Sequence, residues 1–449
     1  MGEYKSMVEA PTGWLGSIPE HWECKKIGSL FSERKTKVSD ADYPPLSVTK
    51  LGIVPQLANA AKSDSGDNRK LVCSGDFVIN SRSDRKGSCG VSELAGSVSL
   101  INIVLTPRNS WDNKYVHYLM RSQSFSEEYY HYGRGIVADL WTTRYSEMKN
   151  ILLPVPPHDE QEQIVRFLDW KVSGINKLIN IKKKEIKKVT ELKKIVVNEA
   201  VTRGLNPNVP MKDSGVEWLG DIPSHWKTYR CKYLFSERDE RSIEGKEQHL
   251  SMSQKYGLVP DTILDERRML SESYAGGKIC YENDLVLNRL KAHLGVFSLA
   301  PQMGVISPDY TVLIPRIERI IPAYAEAVLK SQKCRRELRV RVKGVTEGFW
   351  RLYTDSFNTI VLPVPPVEEQ KSIMDEIKLF EEKTANYISV ILKEVEVLHE
   401  LRNKLISDVV TGQIDVRDIE VPEFEFVDEI EDESDKDTDE ENDNVDEEE

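Results

Sequence analysis

Two stretches of the chain place apolar residues at intervals of three and four over unusual lengths. In the first, Ile164, Leu168, Val172, Ile175, Leu178, Ile186, Val189, Leu192 and Val196 form one stripe, with Lys182 in a slot where an apolar residue is expected. The second stripe is cleaner: Ile373, Ile377, Phe380, Thr384, Ile388, Ile391, Val395, Leu398, Leu401, Leu405 and Val409. Sustained 3-4 spacing predicts long helices paired along a seam. Neither stretch contains proline, Asp159 and Glu162 resemble a capping box at the first start, and Gly204 and Gly412 supply stops. About 45 residues rising 1.5 Å each make a rod of roughly 65 Å. Such a stripe must be buried against something. The nearest candidate is the other helix, giving an antiparallel coiled coil; the alternative is that each helix packs on its own globule.

Ahead of each stripe the pattern shortens. Asp76–Asn80 and Asp284–Asn288, bounded by Gly, Ser and Asn, predict strands, and Tyr115–Glu128 and Ala323–Leu338 predict helices. The fold class expected is α+β. An internal repeat underlies it. Trp14-Leu15-Gly16-x-Ile18-Pro19-x-His21-Trp22 recurs as Trp218-Leu219-Gly220-x-Ile222-Pro223-x-His225-Trp226, and Leu30-Phe31-Ser32-Glu33-Arg34 as Leu234-Phe235-Ser236-Glu237-Arg238. Leu153-Pro154-Val155-Pro156-Pro157 returns as Leu362-Pro363-Val364-Pro365-Pro366, followed in each case by Glu-Gln (Glu160-Gln161, Glu369-Gln370). The paired prolines end each mixed region, since they cannot continue a helix or a central strand. The expected divisions are a globule over 1–157, a helix over 158–205, a second globule over 206–366, a second helix over 367–421, and a tail over 422–449. A duplicated scaffold without a shared task is the bland alternative.

Charge sharpens the division. The 449 residues carry 61 Lys/Arg against 74 Asp/Glu, a formal charge of −13. From Glu423 to Glu449 there are 17 acidic residues and one lysine, so residues 1–422 carry +3. The acidity therefore says nothing against a nucleic-acid partner, and the tail is expected to be disordered. Six scattered cysteines without a CxxC pair argue against a disulfide scaffold or structural zinc. With no apolar run of membrane-spanning length and no hydrophobic leader, an intracellular, cytoplasmic protein is expected.

Catalytic signatures are missing. The sequence has no GxxxxGK[ST], GxGxxG, GxSxG or HExxH, and no Asn/Asp-Pro-Pro-aromatic signature of an amino-methyltransferase. Pro260-Asp261 and Pro308-Asp309 lack the Glu-x-Lys of a metal-dependent nuclease and read as turns. His21 and His225, at matching repeat positions, read as scaffold. Basic and polar residues instead recur in loops after strands, the chemistry that contacts phosphates and base edges. The candidate DNA-binding residues are Lys50, Asn80, Arg82, Arg85, Lys86, Arg134, Thr143 and Arg144 in the first half. Their counterparts in the second are Lys255, Asn288, Arg289, Lys291, Lys343, Thr346 and Arg351. Any one loop reads as solvated surface; recurrence in both halves favours function.

Together the paired WLGxIPxHW starts, the paired LPVPPxxEQ junctions, and the helices ending in Ala200-Val201-Thr202-Arg203-Gly204 and Val409-Val410-Thr411-Gly412 resemble the specificity subunit of type I restriction-modification enzymes. The resemblance implies two repeated α/β target-recognition domains separated by two long helices in an antiparallel coiled coil, related by a pseudo-two-fold axis. It implies a non-catalytic subunit that reads a bipartite asymmetric site on double-stranded DNA. It further implies two methylation subunits and motor/nuclease subunits as partners, which carry S-adenosylmethionine, ATP and Mg, while this chain binds no cofactor or metal directly. The acidic tail is not required by the family pattern. A single-chain nuclease using Asp261 or Asp309, and a coiled-coil protein without DNA specificity, stand as the rival readings.

Overall fold

The computed structural model describes residues 2–50, 52–57, 66–82, 85–108, 111–135, 141–253, 256–263, 274–344 and 350–430. Two compact units are formed, one from residues 1–184 with 391–449 and one from 185–390. The two long helices, His158–Arg203 and Val367–Val410, run for 46 and 44 residues, and each is divided between the units. Strands and short helices make up the rest, so the fold is mixed helix and strand.

In the first unit an antiparallel sheet runs in the order Phe31–Glu33, Asn102–Pro107, Phe77–Asn80, Cys89–Val91. Arg34, closing the Leu-Phe-Ser-Glu-Arg motif, clamps the buried carboxylate of Asp76 through two hydrogen bonds of 2.7 and 3.0 Å. Burying that carboxylate is tolerable only with such a partner. Helices Asn113–Arg121 and Gln123–His131 are separate, because Ser122 takes an extended conformation and its Oγ caps the second through Phe125 N. The core gathers Phe31, Phe77, Tyr115 and Phe125 with Ile164, Phe167 and Leu168 from the start of one long helix and Val409 and Val410 from the end of the other.

The second unit has the same internal order: Phe235–Arg238, Tyr310–Pro315, Leu285–Asn288, Phe297–Leu299. Arg238 clamps buried Asp284 at 2.9 and 3.4 Å, and Ser331 caps Gln332–Arg341 after breaking it from Pro322–Lys330. The single helices predicted over 115–128 and 323–338 are thus each two helices, broken by a serine whose side chain replaces the lost helical partner. Here the core takes Ala200 and Val201 from one long helix and Ile373 and Ile377 from the other.

The repeated landmarks prove to be joints. His21 meets Glu160 at 2.8 Å and His225 meets Glu369 at 2.7 Å, so each WLGxIPxHW segment is tied to the Glu-Gln that opens a long helix. The glutamines fix the same helix starts: Gln161 accepts from Asp112 N and donates to Pro156 O, while Gln370 accepts from Ile321 N and donates to Pro365 O. Tyr115 OH donates to Val410 O, and Tyr324 OH to Val201 O, holding the far ends. The Pro-rich junctions pair as strands, Leu152–Val155 with Glu23–Lys26 and Val361–Val364 with Lys227–Arg230, each in a two-stranded sheet where prolines are admissible.

Within the first unit the long helices run antiparallel: Asn176 pairs with Arg402 at 2.7 Å, and Lys182 with Glu394 at 2.8 Å. Lys182 thus fills its apolar slot by ion pairing. The buried positions are Ile175 and Ile179; Leu178, expected on the stripe, is exposed. Within the second unit Glu185 accepts from Tyr387 OH, and Lys193 meets Glu381 at 3.0 Å, again antiparallel. There Leu192 is exposed, as is Leu401 in the first unit. The first helix begins at His158, so Asp159 lies inside its first turn and complements the helix dipole instead of capping it.

The expectation of disorder from residue 422 onward fails for residues 424–430. They lie extended against the first helix, with Asn180 donating to Asp428 O at 2.8 Å and accepting from Ile430 N at 2.8 Å. Composition pointed to disorder, but backbone groups were matched by polar side chains on a helix face; the residues beyond 430 lie outside those described.

Gly412 has φ +76°, and an added Cβ would enter the Pro19 ring and the Trp22 indole. Gly174, on the exposed face of the first helix, faces nothing within 4 Å. Gly412→Ala is therefore expected to lower unfolding stability by about 2–4 kcal/mol, the sum of left-handed strain and overpacking. Gly174→Ala should raise it by about 1 kcal/mol. Urea unfolding of both variants checks the opposite signs.

Candidate nucleic-acid interface

In the first unit the strand Phe77–Asn80 ends in an Asn whose Oδ1 accepts from Arg82 N at 3.0 Å, turning the chain into the basic loop. The later loop is folded back on it. Arg134 and Thr142 exchange backbone hydrogen bonds of 3.2 and 3.1 Å, and Thr143 N donates to Ser81 O at 2.9 Å. The second unit repeats this staple residue for residue. Asn288 Oδ1 accepts from Leu290 N at 3.1 Å, Lys343 and Arg351 exchange bonds of 2.9 Å, and Leu352 N donates to Arg289 O at 2.9 Å. Two loops distant in sequence thus become one surface at the end of a sheet strand.

On the first surface Arg82, Arg85 and Lys86 line a cleft with Tyr130 and Trp141. The two rings lie 5.4 Å apart, and Lys86 Nζ stands 5.5 Å over Tyr130. Arg134 and Arg144 are exposed on the later loop. Thr143 is buried, exchanging bonds with Tyr129 through Oγ1 and its carbonyl, so it supports the loop and does not face a ligand. Lys50 is brought near by its carbonyl, which accepts from Arg121 Nη2; Arg121 lines the same cleft. On the second surface Lys291 and Lys343 are exposed. Arg289 reaches the Asp309 carbonyl at 2.6 Å and its carboxylate at 3.5 Å, and Arg351 approaches that carboxylate at 3.8 Å. Asp309 is therefore occupied as the counter-charge of two arginines, and Asp261 is bound by His249 and Ser251. Lys255 and Thr346 lie outside the described residues.

Several residues went unnoticed in the sequence. Arg121 precedes Ser122 as Lys330 precedes Ser331, and a cation just before each serine break was the available signal. Tyr130 has no counterpart in the repeat, but Trp141 and Trp350, the second edge-on to His293 at 6.0 Å, each directly precede the matching staple residues Thr142 and Arg351, and that shared position was the available signal. Among the described residues no group of three or more His, Cys, Asp and Glu is placed to hold a metal ion, and no helix is long and apolar enough to cross a membrane.

The chain is similar along most of its length to proteins named as specificity subunits of type I restriction enzymes. It is 22% identical over 442 residues to the chain named as the MjaX specificity subunit of Methanocaldococcus jannaschii, covering 90% of this chain and 96% of that one. It is 21% identical over 428 residues to the type I restriction enzyme MjaVIII specificity subunit of the same organism, covering 90% and 95%. A solved chain from a study of complex assembly in a type I R-M system shares the fold at a TM-score of 0.60 and 15% identity, covering 88% of this chain and 99% of that chain. No family model matches the sequence.

His117 tests the electrostatics beside the first surface. Its Nε2 lies 2.6 Å from Arg121 Nη1; burial first, and Arg121 second, push its pKa down to about 3 from 6.5. The unfolded chain then binds a proton that the folded chain refuses, so His117 costs no stability above pH 6.5 and progressively more as pH falls from 6.5 toward 3. The loss is at most about 1.4 kcal/mol per pH unit in that window. The stability difference between the natural chain and His117→Gln should shrink or reverse on acidification, and NMR titration of the ring should show no protonation between pH 5 and 8.

Proposed function

We propose that this chain is the DNA sequence-specificity subunit of a type I restriction-modification system. Each unit reads one half of a bipartite asymmetric duplex site, and the long helices form an antiparallel coiled coil that sets the unread spacer. The observation that carries this reading is the same stapled pair of basic loops at the end of the same strand in both units. One duplicated reading surface fits two half-sites better than a single binding patch. The antiparallel ion pairs within each unit support the coiled coil, and the matching internal strand orders support a duplicated recognition domain.

Two methylation subunits and motor/nuclease subunits are its proposed partners, and S-adenosylmethionine, ATP and Mg act on those subunits. The first unit leaves Leu178, Ile181, Leu392, Val397 and Leu401 of the long helices more than half exposed, apolar surface suited to subunit docking. DNA as substrate places the work in the cytoplasm.

Exchanging residues 24–152 for the equivalent segment of another specificity subunit, with co-expressed methylation subunits, should change one half-site of the methylated adenine motif and leave the other intact. Change in both halves, or in neither, contradicts the assignment. Lys343→Ala should weaken duplex binding by the chain almost equally across sequences and reduce the slope of log affinity against log salt by about 1. Titrations at several salt concentrations provide the check.

A further inference from the structure

In the first unit, residues 424–430 occupy a face built to receive a peptide backbone. Ser173, Asn176, Asn180 and Lys183, spaced by threes and fours, share one side of the first long helix. Ser173 Oγ accepts from Val427 N at 2.8 Å and donates to Glu425 O at 2.9 Å. Asn176 donates to Val427 O at 3.1 Å, Asn180 bonds both Asp428 O and Ile430 N at 2.8 Å, and Lys183 Nζ reaches Ile430 O at 2.8 Å. With the strap in place the serine and both asparagines are no more than 6% exposed. One strap side chain is read as well. The Glu429 carboxylate meets Lys183 at 3.0 Å from one helix and His399 at 2.9 Å and Arg402 at 2.6 Å from the other. Arg402 also donates to Asn176 Oδ1 at 2.7 Å.

Buried amides and hydroxyls on a helix cost stability unless something satisfies them. Here the complement is main chain, as in strand addition to a sheet edge, so the face can bind an extended segment regardless of most of its side chains. The clustered cations add the demand for one carboxylate. It stands between Lys183 of one helix and Arg402 of the other. Glu429 therefore also cross-links the two helices.

We propose that this seam is a peptide-binding groove for an extended segment carrying a single well-placed carboxylate, and that residues 424–430 are its self-supplied, exchangeable occupant. An acidic extended segment supplied in trans takes the groove once the strap is removed. This does not depend on the DNA-reading function.

Two measurements test it. In the intact chain, amide exchange at Val427 and Ile430 should be at least tenfold slower than in the free peptide, and Asn180→Ala should release Ile430 while Val427 stays protected. Second, a chain ending at Val421 should bind a fluorescein-labelled peptide of residues 422–431 saturably and one to one. The intact chain should bind it at least tenfold more weakly, and Glu429→Gln in the peptide should weaken binding to a similar degree. Should truncation compromise folding, the intact Asn176→Ala/Asn180→Ala chain replaces it, and its strap amides should exchange at free-peptide rates. Free-peptide exchange in the unaltered chain, equal binding to intact and truncated chains, or indifference to Glu429→Gln would each overturn the proposal.

Discussion

A helix of 46 residues with an apolar stripe cannot persist alone in water; its stability comes from what the stripe packs against. Here the constraint is met at both ends at once. In the first unit the start of one long helix and the end of the other enter a single core, through Ile164, Phe167 and Leu168 on one side and Val409 and Val410 on the other. In the second unit the roles reverse, with Ala200 and Val201 beside Ile373 and Ile377. Each globule therefore needs both helices to complete its core, and neither helix can shift register without opening one. Every other feature of the chain hangs from this arrangement.

It also explains what the repeated motifs do. His21 and Glu160, His225 and Glu369, Tyr115 and Val410, Tyr324 and Val201 are fastenings between globule and helix ends. The most recognisable residues thus fasten the scaffold and do not belong to the basic loops. The basic loops project from the far ends of strands whose other residues lie in the core. On the proposed reading that separation is functional: the loops can change with the DNA sequence to be read while the fastenings keep the geometry.

The long helices, the strands at 77–80 and 285–288 and the basic loops were legible because each leaves a periodic or repeated trace in the sequence. What escaped notice depends on contacts between distant segments. Leu178 fits the stripe as well as Ile179 does, and only the partner helix decides that Ile179 goes inside. Thr143 has the composition of a contact residue, yet its hydroxyl is spent on Tyr129 O. The strap reads as disordered because its own residues form no core; the order resides in Ser173, Asn176 and Asn180, some 250 positions earlier in the chain.

The central claim, that paired helices set a fixed distance, is tested most directly by shortening both together. Deleting residues 186–192 with 381–387 removes two turns from each helix, about 10 Å at 1.5 Å per residue. That is about three base pairs at 3.4 Å each. With methylation subunits present, the methylated motif should keep both half-site sequences and lose about three base pairs of spacer. An unchanged spacer, or altered half-site sequences at the original spacing, would contradict the account.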